Sequence, residues 1–277
     1  MNEHIRVNNV ERFSGFGELY DRNRPKAPEE IIRILTMYLG HSPRLVADVG
    51  CGTGLSSFIW LGQAENIVGV EPSDDMRAVA MSRWEQQDKP ESLNFVQALS
   101  HALPFQDDTV DIVTCSQSFH WMEPQPTLQE FARVLRPGGL FAAYDCDWPP
   151  VSLPELEQSY ERLIRLADEW AVQLAEPAKQ AYKWPKEGHL QQIRESGWFD
   201  FTREIVFHKW ETCDAERYIN IAFSQGGLQT ALKLGTSELH PEAEQFRNQV
   251  QDIFAGAAKE IMFSYRMRLG RKKELDR

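Results

Sequence analysis

No apolar run in the chain approaches the roughly 18 residues that cross a bilayer, and its first residues are polar. Neither a membrane span nor a signal peptide is expected. The four cysteines, Cys51, Cys115, Cys146 and Cys213, are scattered without a C-x-x-C pair. That pattern gives neither a zinc site nor a disulfide framework, and a reducing cytoplasm is the expected setting. Positive charge is also short: 30 Lys and Arg stand against 41 Asp and Glu, for a net charge of −11. An acidic chain of this kind disfavours a nucleic-acid partner. The one basic cluster, Arg266 to Lys273, is local and reads as a solvated strand end. No internal repeat or low-complexity stretch is present, and no feature sets an oligomeric state.

What is present centres on Val46-Ala47-Asp48-Val49-Gly50-Cys51-Gly52-Thr53-Gly54. A short apolar strand runs into three glycines at alternate positions. Glycine has no Cβ and tolerates φ > 0, so a ligand can lie against bare backbone there. A helix is expected from about Leu55 to Leu61, with its free N–H groups facing the same place. The dinucleotide fingerprint would need glycine at position 55, which holds Leu55, and the P-loop would need a lysine after Gly54. A diphosphate ligand is therefore disfavoured. A second strand, Ile67 to Val70, ends in Glu71, a carboxylate placed to accept bonds from a ribose diol. Cys51, inside the loop, is expected to pack and not to react.

Strand and helix signals alternate from residue 28 to about 145. A helix begins near Pro28, with Ile31, Ile34, Leu35 and Tyr38 at helical spacing. Strands are expected at Leu45 to Val49, Ile67 to Val70, Asn94 to Val96, Asp111 to Cys115 and Leu140 to Tyr144. Helices are expected at Asp74 to Trp84, capped by Ser73, and at Thr127 to Leu135, stopped by Pro137-Gly138-Gly139. Alternation of this kind implies an α/β fold with a parallel sheet and helices on both faces. The pattern breaks at Asp147-Trp148-Pro149-Pro150. An amphipathic helix then spans 155 to 176, and a second runs from Glu187 to Ser196. Beyond them come a strand from Phe201 to Trp210, a helix from Asp214 to Phe223, a helix from Pro241 to Ala258 and a strand from Ile261 to Leu269.

Several of these stretches resemble the motifs of class I S-adenosylmethionine (SAM) dependent methyltransferases. Asp48 matches the first motif's acid, Gly50, Gly52 and Gly54 its glycines, and Glu71 the second motif's acid. Leu103-Pro104-Phe105, Asp107-Asp108 and Val110-Asp111-Ile112-Val113 resemble the third and fourth motifs. Phe131 to Gly139 resembles the helix and turn that follow. The run Ser116-Gln117-Ser118-Phe119-His120-Trp121 resembles the small-molecule branch that includes trans-aconitate methyltransferases. The resemblance covers about residues 13 to 145. It implies a Rossmann-like sheet of seven strands, mostly parallel, with the last strand inserted antiparallel beside the fifth. It implies one domain over 1–277: a helical lid at 1–40, a cofactor-binding core at 41–146, an inserted helical cap at 147–197, and 198–277 completing the sheet.

The cofactor implied is SAM, with S-adenosylhomocysteine as product, and no metal. Asp48 would orient the loop and interact with the ammonium of SAM. Gly50, Cys51, Gly52 and Gly54 would follow its methionine part, and Glu71 would hold the ribose. Pro72 and Met76 would lie near the adenine, and Gln117 would face the methionine end. Phe13, Phe16 and Tyr20 resemble the family's aromatic cover. Many members have an aspartate for the adenine amino group where this chain has Leu99, so adenine would depend on Ser100 and His101. Trp148, Tyr182 and Trp184 are candidates for the acceptor wall.

Methyl transfer is an in-line displacement that needs its acceptor held about 3 Å from the methyl carbon. A carboxylate acceptor is ionised at neutral pH and needs no base; Arg22, Arg24 or Arg194 would suit it. A hydroxyl or amine needs one, and His120 is the candidate general base. Its other reading is a histidine hydrogen-bonded in the wall of the site. A small-molecule acceptor is the leading expectation. A protein or RNA acceptor, a SAM-binding module without catalysis, and a nicotinamide oxidoreductase are the alternatives.

Overall fold

The computed structural model describes residues 8–10, 23–25, 27–176, 181–235 and 237–274. Its centre is one seven-stranded sheet: β1 (Leu45–Val49), β2 (Asn66–Val70), β3 (Leu93–Val96), β4 (Val110–Ser116), β5 (Leu135–Cys146), β6 (Phe199–Cys213) and β7 (Lys259–Lys272). The strand order is β3-β2-β1-β4-β5-β7-β6. The first five strands pair in parallel, and β7 runs antiparallel between β5 and β6. This is the expected α/β arrangement, including the inserted last strand. The order reverses between β1 and β4, so a crevice opens beyond their carboxyl ends.

Alternate residues of β1 serve opposite faces, as the pleat requires. Val46 packs into a core with α1 (Glu30–Leu39), while Ala47 and Val49 join a core with α3 (Pro124–Val134). α2 (Asp74–Gln86) is capped by Ser73, whose Oγ accepts from Met76 N at 3.4 Å. A third core lies beyond the sheet's carboxyl end. There α4 (Pro154–Leu174) packs on α6 (Ala215–Phe223), α7 (Gly226–Lys233) and α8 (His240–Phe254) through Tyr160, Tyr218 and Phe246. The helical layer above the site is thus drawn from both sides of β6, not from residues 147–197 alone. The short α5 (His189–Glu195) leads into β6. Asp214 caps α6, accepting from Arg217 N at 2.8 Å. No helix among the described residues is long and apolar enough to cross a membrane.

Two local expectations differ, and one helix was not expected. The helix expected after the glycine loop is only a 3₁₀ turn, Phe58–Trp60. Ser56 and Ser57 turn their hydroxyls inward to Asp48, and Gly62 at φ 73° ends the segment, so no full α-turns fit between. Pro137-Gly138-Gly139 does not stop a helix that reaches Leu135. α3 ends at Val134, and the Pro-Gly-Gly stretch lies within β5, where the register with β4 jumps from Val110↔Leu135 to Ile112↔Leu140. A side chain at Gly139 would sit 2.9 Å from Arg136 O, so the bulge requires glycine. Finally, α7 carries no sequence signal because it opens on two glycines. A Cβ at Gly227 would collide with Asp168 Oδ1, which explains the choice.

Gly69 of β2 lies under the ring of Phe95: an added Cβ would stand 2.5 Å from Phe95 Cδ1 and 2.9 Å from Cys51 Sγ. Gly69→Ala should therefore lower unfolding stability by roughly 1–3 kcal/mol through overpacking. Urea denaturation checks this, and an unchanged midpoint would show that Phe95 can give way.

Candidate active site

The glycine loop is held from beneath. Asp48, fully buried at the end of β1, accepts hydrogen bonds at Oδ2 from Ser56 Oγ (2.6 Å) and Ser57 Oγ (2.7 Å), and at Oδ1 from Thr114 Oγ1 (2.9 Å). Burial raises its carboxyl above the usual carboxylate range, and the three hydroxyls oppose that rise. Gly50, Gly52 and Gly54 all have positive φ, at 69°, 57° and 82°. At Gly50 the demand is also steric, since a Cβ would lie 2.7 Å from Ser118 Cβ. Space beside Gly52 is open. Ser118 Oγ donates to Val49 O at 2.8 Å, fastening the loop after β4 to the end of β1.

Glu71 closes the other side. Its Oε2 accepts from Gly52 N (2.8 Å) and its Oε1 from Ser73 N (2.9 Å). Burial raises its carboxyl too, against these two backbone donors. A cavity over the loop is lined by Gly50, Cys51, Gly52, Glu71, Pro72, Met76, Leu99, Ser100, His101 and Gln117. Asp48 and Gly54 are not in its wall. Asp48 lies below the loop, and Gly54 backs onto Phe58 and Phe95, with a built Cβ 3.0 Å from each. Cys51 is buried and its thiol is pushed well above its ordinary pKa, which makes it a packing group. Leu99 is exposed on the wall, and Ser100 Oγ is shared with Thr127 Oγ1 at 2.8 Å. Gln117 adopts φ 51° and accepts from Trp148 Nε1 at 3.3 Å. Tyr20, Phe13, Phe16 and Arg22 lie outside the described residues.

A second cavity, of about 760 Å³, adjoins the first, and Arg24, Gln117 and Trp121 line both. His120, Trp148, Lys183 and Lys186 also line it, beneath the α4 residues Tyr160 and Ile164. His120 is therefore in the second cavity and not over the glycine loop. Its backbone carbonyl accepts from Trp184 N at 2.8 Å, which ties the 181–188 segment across the site. Tyr182 and Trp184 pack on each other at 5.1 Å and are not in that cavity's wall. Arg24 donates through Nη2 to Ser224 O (3.0 Å) and Gln225 Oε1 (3.1 Å), with its guanidinium 4.8 Å from the Trp148 ring. Arg194 is exposed and donates to Thr202, away from both cavities.

Sequence reasoning passed over Asp145, which lies beside His120 and accepts an ion pair from Lys186 at 2.8 Å. A lone acid in the apolar run Leu140 to Cys146 was the available signal. Lys183 and Lys186 stand in an irregular stretch that offered none. The basic cluster of β7 is paired: Arg266 and Arg268 with Glu204, Arg271 with Asp200, Lys272 with Asp108. No group of three or more His, Cys, Asp and Glu among the described residues could hold a metal ion.

A glycine loop at the switch point, an acid at the tip of β2 and an antiparallel seventh strand define the Rossmann-like methyltransferase fold. Residues 47–143 match the family described as a methyltransferase domain. An uncharacterized methyltransferase of Mycobacterium tuberculosis is 33% identical over 120 residues, 43% of this chain and 46% of that protein. The erythromycin 3''-O-methyltransferase of Saccharopolyspora erythraea is 30% identical over 182 residues, 60% of this chain and 55% of that protein. The chain thus spans about half the length of the curated relatives it matches. In fold it is similar to a putative type II methyltransferase from Anaeromyxobacter dehalogenans, with TM-score 0.66 and 17% identity over 91% of this chain and 99% of that one.

Burial pushes His120 down to about 3 and His189 down to about 4, from an ordinary 6.5. Both are neutral in the folded chain and ordinary in the unfolded one. Their contribution to stability is present above about pH 6.5 and is lost as pH falls, because the unfolded state takes up the protons first. Two such groups give up to about 2.7 kcal/mol per pH unit between about pH 6 and 4. Asp48 and Glu71, shifted upward, act in the opposite sense. Comparison with His189→Asn isolates one histidine. Its urea stability should fall less steeply than wild type, by about 1.4 kcal/mol per pH unit. Parallel slopes would contradict a neutral His189.

Proposed function

We propose that the chain is a SAM-dependent methyltransferase acting on a small-molecule acceptor, with a carboxylate oxygen as the preferred nucleophile. The observation that carries this reading is the pair of adjoining cavities, one over the glycine loop and one under the helical layer, with Arg24 at their junction.

The first cavity fits the cofactor by its own chemistry. Gly50 and Gly52 offer backbone free of side chains, and the Glu71 carboxylate stands beside them for a ribose diol. Pro72, Met76 and Leu99 give a flat base an apolar slot. Leu99 cannot accept a bond from an adenine amino group, which leaves that contact to Ser100 and His101. When bound, SAM supplies a sulfonium methyl that is already electrophilic. The chain's own work is then to position the acceptor and exclude water. Ser224, Gln225 and Trp148 hold Arg24 in place, so its guanidinium can orient a carboxylate at the junction. Lys183 and Lys186 add positive charge to the same cavity. His120, neutral and with its affinity for protons lowered, is a weak base, which favours an acceptor that arrives ionised. A second reading, with a hydroxyl as the nucleophile, is supported by the place of His120 on the acceptor wall.

Labelled SAM offered with a panel of small acids, phenols and amines tests the reading. Methyl esters are the expected products. Ethers alone would promote His120 to a base, and no transfer to any acceptor would leave a binding module. Arg24→Gln should raise KM for the acid by roughly 10–100-fold, the worth of a charge-assisted hydrogen bond, with S-adenosylhomocysteine affinity changed far less. An unchanged KM would remove Arg24 from the acceptor site.

A further inference from the structure

Asp145, at the carboxyl end of β5, is 2% exposed and lies outside the glycine loop. Four groups from four parts of the chain converge on it. Lys186 Nζ is 2.8 Å from Oδ1, and Arg268 Nη1 of β7 is 3.2 Å from Oδ2. His120 Nδ1 is 3.4 Å from Oδ1, and His189 Nδ1 of α5 is 3.8 Å from Oδ2. The two histidine rings lie parallel, 6.3 Å apart. Lys186 and Arg268 already offset the charge of Asp145, so neither histidine needs to be cationic, and burial disfavours a charge on either.

A neutral imidazole has one proton to place, and the other nitrogen is then an acceptor. At His120 Asp145 decides the placement. A lone pair on Nδ1 would face a carboxylate oxygen 3.4 Å away, whereas an N–H there is attracted to it. Of the two ring nitrogens only Nδ1 is fully buried, and His120 is one of the residues lining the acceptor wall. Nε2 is therefore the nitrogen that meets the cavity, and it does so as a lone pair.

We propose that Asp145 is a positioning residue that fixes His120 as the Nδ1–H tautomer, so that Nε2 accepts a hydrogen bond from the acceptor molecule, which is a hydroxy acid. This rests on the carboxylate reading above. An ionised carboxylate has no proton to donate, so the group on Nε2 is a second substituent of the same molecule. An ammonium is disfavoured by Lys183 and Lys186 on the same wall. A neutral hydroxyl satisfies both conditions. An acid lacking it would leave Nε2 buried and unpaired, which is how polar sites reject analogues.

Two readouts test this. Nitrogen NMR of histidine-labelled protein, with the His120 signal assigned through His120→Gln, should show Nδ1 protonated and Nε2 bare at pH 7. Methyl transfer to matched pairs, malate against succinate and mandelate against phenylacetate, should favour the hydroxy acid at least about tenfold in kcat/KM. Asp145→Asn should bring that ratio toward one, and Asp145→Glu, which keeps the charge, should restore it. A merely structural Asp145 would slow both acids alike and leave the ratio unchanged. If Asp145→Asn fails to fold, the wild-type tautomer and the Asp145→Glu ratio decide the matter. A proton on Nε2, or equal use of the two acids in each pair, overturns the proposal. Transfer to no acid at all, with Nδ1 still protonated, would sink the carboxylate reading and the hydroxy acid with it, and leave the Asp145–His120 relation standing.

Discussion

The site depends on a carboxylate buried under a loop. Among the described residues Asp48 has no cationic partner within hydrogen-bonding reach; three hydroxyls, from Ser56, Ser57 and Thr114, take that place. Removing a carboxylate from water is costly unless hydrogen bonds replace the solvent, so all three donors are obligatory once Asp48 is in place. Two belong to the segment that follows the glycines, and the third to the neighbouring strand β4. The backbone of residues 50–54 is thereby stretched over the switch point of the sheet and cannot relax into a helix. Positive φ at the three glycines is the local cost of that path, and Glu71 fastens its upper side through Gly52 N.

A second buried carboxylate stands beside the second cavity. Asp145 stands to the cap as Asp48 stands to the loop, but with cations in place of hydroxyls. Lys186 brings the 181–188 segment down onto β5, and Arg268 brings β7 alongside. The antiparallel insertion of β7 is what makes this possible, because it sets Arg266 opposite Asp145 and places Arg268 two residues further along the strand. The two carboxylates lie near the carboxyl ends of the parallel strands β1 and β5, with β4 between them, and Arg24, Gln117 and Trp121 line both cavities.

The sheet was legible in the sequence because parallel strands buried on both faces are short apolar runs, and each of the seven was placed near its observed position. Six residues singled out along the chain, Gly50, Gly52, Glu71, Pro72, Met76 and Gln117, also line one cavity. What escaped notice has particular causes. The segment after Gly54 has helical composition, but the tertiary bonds of Ser56 and Ser57 overrule it. Pro137-Gly138-Gly139 has the chemistry of a helix stop, yet the ladder with β4 turns it into a bulge within a strand. α7 starts on two glycines, and at Gly227 the approach of Asp168 leaves no room for a Cβ, a reason invisible along the chain. The second cavity was the least legible, since His120, Asp145 and Lys186 converge from β4's end, β5 and the 181–188 segment, and Arg24 lines the same cavity from far away in the chain. Spacing along the chain carries no trace of that convergence.

A glycine loop fastened by Glu71 suits an adenosyl amino acid better than a dinucleotide. Titration calorimetry of the purified chain with S-adenosylhomocysteine, and separately with NAD, tests it most directly. The expected result is saturable, one-to-one binding of S-adenosylhomocysteine, abolished by Gly50→Ala, and no heat from NAD. Binding of NAD with no response to S-adenosylhomocysteine would contradict it.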